Sequence, residues 1–212
     1  EEERADVIAE GKGKALLDYL VLDEKLSMRA ILDHSLTFLF AGHETSSNTL
    51  QWAVLLLATH PAVQKALFEE LCDVFPRGAA PRPSDLADED SMLNNVIKET
   101  LRLYPVAAII GREAFADNVL RETKQFVPKG ASMAICIFNT QRDPATYGAN
   151  ADEFAPERWT ERQVNPTTGK DEGLFLNEKR LGKCGFMPFG FGARNCIGKE
   201  FAMKKCALSW RC

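Results

Sequence analysis

The chain has 212 residues, of which 45% are hydrophobic and 26% charged, an ordinary balance for a globular protein able to bury a sizeable core. A formal charge of −4 and a pI near 5.5 argue against broad electrostatic binding of nucleic acid. No run of about 18 uncharged apolar residues occurs, so no membrane span is visible.

The chain opens on Glu1 and its first methionine is Met28, which reads as a piece of a longer protein whose signal or anchor would lie elsewhere. The six cysteines, Cys72, Cys136, Cys184, Cys196, Cys206 and Cys212, include no Cys-x-x-Cys pair. Six in a chain this long do not make a disulfide-dense secreted module. His34, His43 and His60 leave mixed zinc ligation open, although no usual zinc spacing is present. Five of the cysteines read as ordinary thiols, and Cys196 stands apart.

In chain order, Glu1–Asp23 is charge-rich and then weakly helical from Ala15 to Leu20, with its Glu-Glu-Glu-Arg opening a solvated face. The longest helical pattern runs from about Ser27 to Thr59 and stops at His60-Pro61. Its apolar residues cover most sides, which predicts a buried helix. In its middle sits Ala41-Gly42-His43-Glu44-Thr45. A central glycine costs about 1 kcal/mol relative to alanine, and a buried Glu44 would need a partner. Such breaches of local rules are expected where function requires them. Ala41 and Gly42 offer a shallow place for a flat ligand, while Glu44 and Thr45 supply an acid and an alcohol for moving protons. The plainer alternative is that Thr45 bonds back to a carbonyl one turn earlier and merely bends the helix.

A second amphipathic helix is expected over Ala62–Phe75, with Val63, Ala66, Leu67 and Leu71 on one side. A proline-rich connector follows over Pro76–Pro83, and Ser84 or Asp85 caps a short turn. The next helix, about Asp90–Leu103, carries Glu99 and Arg102 three residues apart, hence on one face. An exposed pair of this kind is worth only about 0.2–0.5 kcal/mol. Ala107–Ala114 and Ala131–Phe138 read as strands, Phe126–Gly130 as a turn between strands. Gln141–Pro144 and the polar stretch Thr160–Lys183 read as loop, with a mobile turn at Thr167–Lys170.

The most informative stretch is Phe186–Gly198, Phe-Met-Pro-Phe-Gly-Phe-Gly-Ala-Arg-Asn-Cys-Ile-Gly. Gly190 and Gly192 let the backbone approach a partner closely. Arg194 places a cation two residues before Cys196, and a helical pattern follows, so the sulfur sits near a helix N-terminus. Both features favour a thiolate, which is a ligand or a nucleophile. A dinucleotide fingerprint fails at Asn195, where a third glycine is required. A phosphate-binding loop fails because Gly192 and Gly198 enclose the wrong number of residues and Glu200 follows Lys199.

Phe189, Gly192, Arg194, Cys196 and Gly198 together form Phe-x-x-Gly-x-Arg-x-Cys-x-Gly, which resembles the haem-binding loop of the cytochrome P450 family. Ala41-Gly42-x-x-Thr45, with acidic Glu44 before the threonine, resembles the family's oxygen-activating helix. Glu99-x-x-Arg102 and Pro156-Glu157-Arg158-Trp159 resemble two further segments, in the family's order. The resemblance runs from about Ser27 to Met203.

This resemblance implies a mainly α fold with small β-sheets. Residues 1–212 would be the C-terminal haem-binding portion of a single cytochrome P450 domain, incomplete at both ends. It implies haem b as cofactor and Cys196 as the axial iron ligand. Arg194, Arg112, Phe189, Gly190, Gly198, Ala41 and Gly42 would lie against the cofactor, with Arg112 on a propionate; an edge-strand arginine in solvent is the competing view. Thr45 would steady the activated oxygen, Glu44 would relay protons, and Val106–Ile110 would line the substrate cavity. Glu99, Arg102 and Arg158 would form a cluster that holds the cysteine loop.

A thiolate pushes electron density to haem iron and favours O–O cleavage. The implied reaction is therefore insertion of one oxygen atom from O2 into an organic, apolar substrate, with electrons from a reductase. Membrane contact and the endoplasmic reticulum are implied for the full-length protein. Two alternatives stay open: a haem-thiolate isomerase or dehydratase, and a truncated haem-binding or interaction fragment that does not turn over.

Overall fold

The computed structural model describes residues 15–74, 91–160, 162–164, 171–174 and 185–210. Several expectations lie outside these residues: the acidic opening, the proline-rich connector with its cap at Ser84 or Asp85, the turn at 167–170, and Cys184 and Cys212. The chain divides into two compact units, Glu1–Thr45 and Ser46–Cys212. The described residues are mainly helical with three small antiparallel sheets, as the sequence leads one to expect.

In the first unit, α1 (Leu16–Leu22) is capped by the Asp18 carboxylate, which accepts from Ala15 N at 2.8 Å. The long helix α2 (Met28–Thr59) begins where Ser27 Oγ accepts from Ala30 N at 3.2 Å. The hydroxyls of Ser35, Thr37 and Thr45 each donate to the carbonyl four residues earlier at 2.7 Å.

The expected burial of α2 on nearly all sides is corrected by the structure. Leu32, Leu36, Leu39, Phe40, Val54 and Leu55 are exposed, as is Glu44. Within Ser46–Thr59 the buried positions are Ser46, Thr49, Ala53, Leu56 and Leu57, a single stripe at helical spacing. Described residues pack on that stripe, and among the described residues none covers the other apolar sides. An all-round apolar pattern states what a helix can bury; it does not supply the neighbours.

In the second unit, Pro61 takes the first position of α3 (Pro61–Val74), where its missing N–H is of no consequence. Leu67 and Leu71 face inward as the amphipathic pattern predicts. The central helix α4 (Met92–Leu103) is buried at nine of its twelve positions. Its N-terminus is closed twice. Ser91 Oγ accepts from Asn94 N at 3.2 Å, and the Glu70 carboxylate of α3 accepts from Met92 N and Leu93 N at 2.7 and 3.1 Å. The core joins Leu56, Leu57, Leu67, Leu71, Val96 and Leu101 with Cys206 from the final helix, α7 (Lys199–Leu208). The Trp52 and Tyr104 rings stack at 3.9 Å with 4° between their planes.

After α4, β1 (Ile109–Glu113) pairs antiparallel with β4 (Ser132–Cys136), Arg112 opposite Met133. Between them β2 (Asn118–Val119) pairs with β3 (Phe126–Val127) across a reversal at Leu120–Gln125, where Leu120 N donates to Gln125 O at 2.9 Å. The expected turn begins as a strand and continues as a local turn in which Ala131 N donates to Pro128 O at 3.1 Å. Gly130 takes φ +81° there. The strand expected over Ala131–Phe138 ends early, giving way to the short α5 (Ile137–Thr140).

The stretch expected as loop at Gln141–Pro144 is also structured. Asp143 caps α6 (Pro144–Tyr147), its carboxylate accepting from Ala145 N at 3.1 Å and Thr146 Oγ1 at 2.9 Å. A 3-10 turn spans Pro156–Trp159. Within the polar stretch expected as loop, β5 (Arg162–Val164) pairs with β6 (Asp171–Leu174).

Candidate functional site

The expected surface-type spacing of Glu99 and Arg102 resolves into the most deeply buried polar cluster among the described residues, both side chains having no solvent exposure. Helical spacing places them on one face of α4, and the 3-10 turn at Pro156–Trp159 brings Arg158 and Trp159 to the same carboxylate. Glu99 Oε1 accepts from Arg102 Nη2 at 2.8 Å, Arg158 Nε at 3.0 Å and Ala155 N at 3.1 Å. Glu99 Oε2 accepts from Arg102 Nε at 2.9 Å and Trp159 Nε1 at 3.0 Å.

Two cations share one carboxylate, so a net positive charge is buried and must be solvated by the protein. It is. The remaining Arg102 donors meet the carbonyls of Gln141 at 2.8 Å, Ala151, and Glu153 at 3.0 Å. Arg158 donates onward to the carbonyls of Tyr147 at 3.2 Å and Asn150 at 3.0 Å. The Tyr147 ring lies 4.8 Å from the Arg102 guanidinium, and burial pushes its phenol pKa up.

The cluster is tied to the cysteine loop by two side chains that the sequence does not single out. Tyr147 OH donates to Gly185 O at 2.8 Å. Gln141 Oε1 accepts from Met187 N at 2.9 Å. From Met187 onward the loop closes on itself: Gly190 N donates to Met187 O at 2.9 Å and Cys196 N to Phe189 O at 2.8 Å. Gly190 and Gly192 take φ +73° and +77°, a region open to glycine at little steric cost, so the expected glycine-dependent turn is present.

The loop leaves Cys196 exposed, two residues before Gly198, the N-cap of α7. A Cβ on Gly198 would stand 3.8 Å from Cys196 Sγ, so glycine keeps one side of the sulfur open. Phe191, Ile197 and Phe201 around it are exposed apolar residues, and Phe189 is half-buried. Arg194 closes a 3-10 turn over Gly192–Arg194 and is exposed. The other described cysteines differ. Cys206 is buried in the core, with its thiol pushed up to about 11 by that burial, and Cys72 and Cys136 are partly covered. Among the described residues no group of three or more His, Cys, Asp or Glu stands together to hold a metal ion.

The remaining expected site residues lie elsewhere in the fold. Arg112 is half-buried on β1, on the same face as Ile110, and donates to Gly111 O at 2.8 Å. Ala41, Gly42, Glu44 and Thr45 occupy consecutive turns of α2 in the first unit. The Thr45 hydroxyl donates to Ala41 O at 2.7 Å, the backbone contact that its residue type allows in any helix. Among the described residues no helix is long and apolar enough to cross a membrane.

The profile of the cytochrome P450 family matches residues 1–209. The chain is 37% identical to a cytokinin hydroxylase of Arabidopsis thaliana over 86% of its own length and 32% of that protein's. It is 36% identical to cytochrome P450 3A29 of Sus scrofa (88% of this chain, 33% of the relative). It is 35% identical to the mitochondrial sterol 26-hydroxylase of Homo sapiens (88% and 32%). The chain thus spans about a third of the length of these relatives. With the motif order and this match over almost its whole length, the chain belongs to the cytochrome P450 family.

Proposed function

We propose that this chain carries the haem-thiolate centre of a monooxygenase that inserts one oxygen atom from O2 into an organic, apolar substrate. The observation that carries this reading is an exposed cysteine on a loop pinned to a buried, fully hydrogen-bonded charge cluster. The family implies a haem, and the residues fit one. A lone sulfur, with no second protein ligand grouped with it among the described residues, suits an iron whose other donors would come from a macrocycle. The open side at Gly198 and the flanking Phe191 and Ile197 suit a flat apolar face. Haem b, bound without a covalent link, would be the form held.

Bound through Cys196, the haem would supply the oxygen activation. The chain's own residues hold and orient. Arg194 and Arg112 would neutralise the propionates; Phe189, Gly190, Gly198, Ala41 and Gly42 would pack against the macrocycle. Glu44 and Thr45 would move protons. For Thr45 to donate to a ligand its hydroxyl must first leave Ala41 O, an exchange of one hydrogen bond for another that costs little net. The cluster of Glu99, Arg102 and Arg158, buried and engaged with itself and nearby carbonyls, would act on the cofactor only by holding the loop. Electrons would come from a reductase, and the relatives named as hydroxylases favour oxygen insertion over isomerisation.

The test is the reduced, carbon-monoxide-bound spectrum of the haem-loaded full-length protein. A strongly red-shifted Soret band that Cys196→Ser abolishes is expected. A band of the histidine-ligated type, or one unchanged by Cys196→Ser, would sink the assignment.

A further inference from the structure

We infer that Gln141 is a positioning residue for the cysteine ligand, the joint through which the end of α4 fixes the start of the loop carrying Cys196. This rests on the haem-thiolate reading. Gln141 has no solvent exposure, and every polar group of its side chain is engaged. Nε2 donates to Leu101 O and Arg102 O, both at 3.0 Å, and Oε1 accepts from Met187 N at 2.9 Å.

Leu101 and Arg102 lie in the last turn of α4, where helix geometry leaves carbonyls without an intrahelical donor. The two amide hydrogens of Gln141 meet two such carbonyls, and its oxygen is thereby turned to the loop. The reverse amide orientation would set its oxygen against two carbonyls and its hydrogens against the Met187 N–H, so the network allows one orientation. The Gln141 carbonyl in turn accepts from Arg102 Nη1 at 2.8 Å. One residue therefore joins the helix end, the buried arginine and the loop.

The connection continues to the sulfur. With its N–H held, Met187 receives Gly190 N on its carbonyl, and Cys196 N closes onto Phe189 O. Tyr147 holds Gly185 two residues upstream but leaves Met187 to Gln141. Loss of the Gln141 amide would free the Met187 peptide, leaving the Gly185 carbonyl held by Tyr147 and the Glu99 carboxylate untouched. The consequence belongs to ligand position as much as to stability.

Gln141→Met, of similar length but without donor or acceptor, tests this in the haem-loaded full-length protein. Two readouts are needed: hydrogen exchange at the Met187 amide, and the position of the Soret band in the reduced carbon-monoxide complex. Exchange about tenfold faster at Met187, with at least about half of the red-shifted band lost at unchanged haem content, is the expected result. Leu67→Ala, a core truncation on α3 that makes no hydrogen bond to the loop, should lower stability and leave the band in place. If Gln141→Met does not fold, Gln141→Glu takes its place. Its carboxyl still offers Met187 an oxygen but at most one hydrogen to the α4 carbonyls, so partial loss of the band is expected. A wild-type band in the folded variant, whatever the Met187 exchange, would overturn the inference. Absence of the red-shifted band from the wild type would instead sink the haem-thiolate reading, while Met187 exchange would still report on the joint.

Discussion

Glu99 shows how far context moves the worth of one residue. As an exposed helical pair with Arg102 it would contribute a few tenths of a kcal/mol; fully buried and accepting from Arg102, Arg158, Trp159 and Ala155, it holds two cations in a dry site. Glu99→Gln keeps the shape but turns one acceptor into a donor facing an N–H and leaves two guanidiniums without a counter-ion. The expected loss is about 3–5 kcal/mol, read as a shift in the denaturation midpoint. Trp159→Phe removes one charge-assisted bond and should cost about 1.5–3 kcal/mol. A Glu99→Gln protein within about 1 kcal/mol of wild type would show that the cluster is not the anchor described. The spacing of Glu99 and Arg102 was legible from helix periodicity alone. Arg158, 59 residues away, was reachable only through family resemblance. Gln141 and Tyr147 were not reachable at all: a glutamine in an apparent loop carries no signal of its tertiary partners until the helix end and the loop are brought together.

At the scale of elements, helix α4 was placed to within two residues because its apolar period is strong, but the groups that cap its start were not legible. The pattern suggested a beginning near Asp90, and the structure begins it after Ser91, where a hydroxyl and a carboxylate from α3 take up three N–H groups. A cap supplied from 22 residues away leaves no local trace. Glu70 acts there as an acid at the positive end of a helix dipole, which favours it further. Glu70→Ala should cost about 1–2 kcal/mol and speed exchange of the Met92 and Leu93 amides, leaving those of the last α4 turn unchanged. Equal acceleration along the whole helix would mean that Glu70 supports the fold generally and does not act as a cap. The small strands β2 and β3 were missed for a related reason: two-residue strands are too short to show alternation.

At the scale of the whole molecule, the same sequence feature was read correctly and interpreted wrongly. Residues of α2 are apolar around most of the helix, and the inference of burial assumed that neighbours exist to cover them. The structure leaves Leu32, Leu36, Leu39 and Phe40 exposed in the first unit and Val54 and Leu55 exposed in the second. Fully burying one such side chain is worth about 1.5–3 kcal/mol, so several together outweigh the entropy of a weak association. Exposed patches of this kind mark interaction surfaces or aggregation hazards. Residues 1–212 expressed by themselves should therefore self-associate and bind a hydrophobic dye, and Leu36→Glu with Leu39→Lys should shift them toward the monomer in sedimentation. Covering these faces by other means should have the same effect: a detergent below denaturing concentration should disperse the assemblies while the amide protection of α4 survives. A monodisperse wild-type chain with no dye binding would mean that the exposed side chains find cover within the chain itself, and the separation of patterned from buried drawn for α2 would fail.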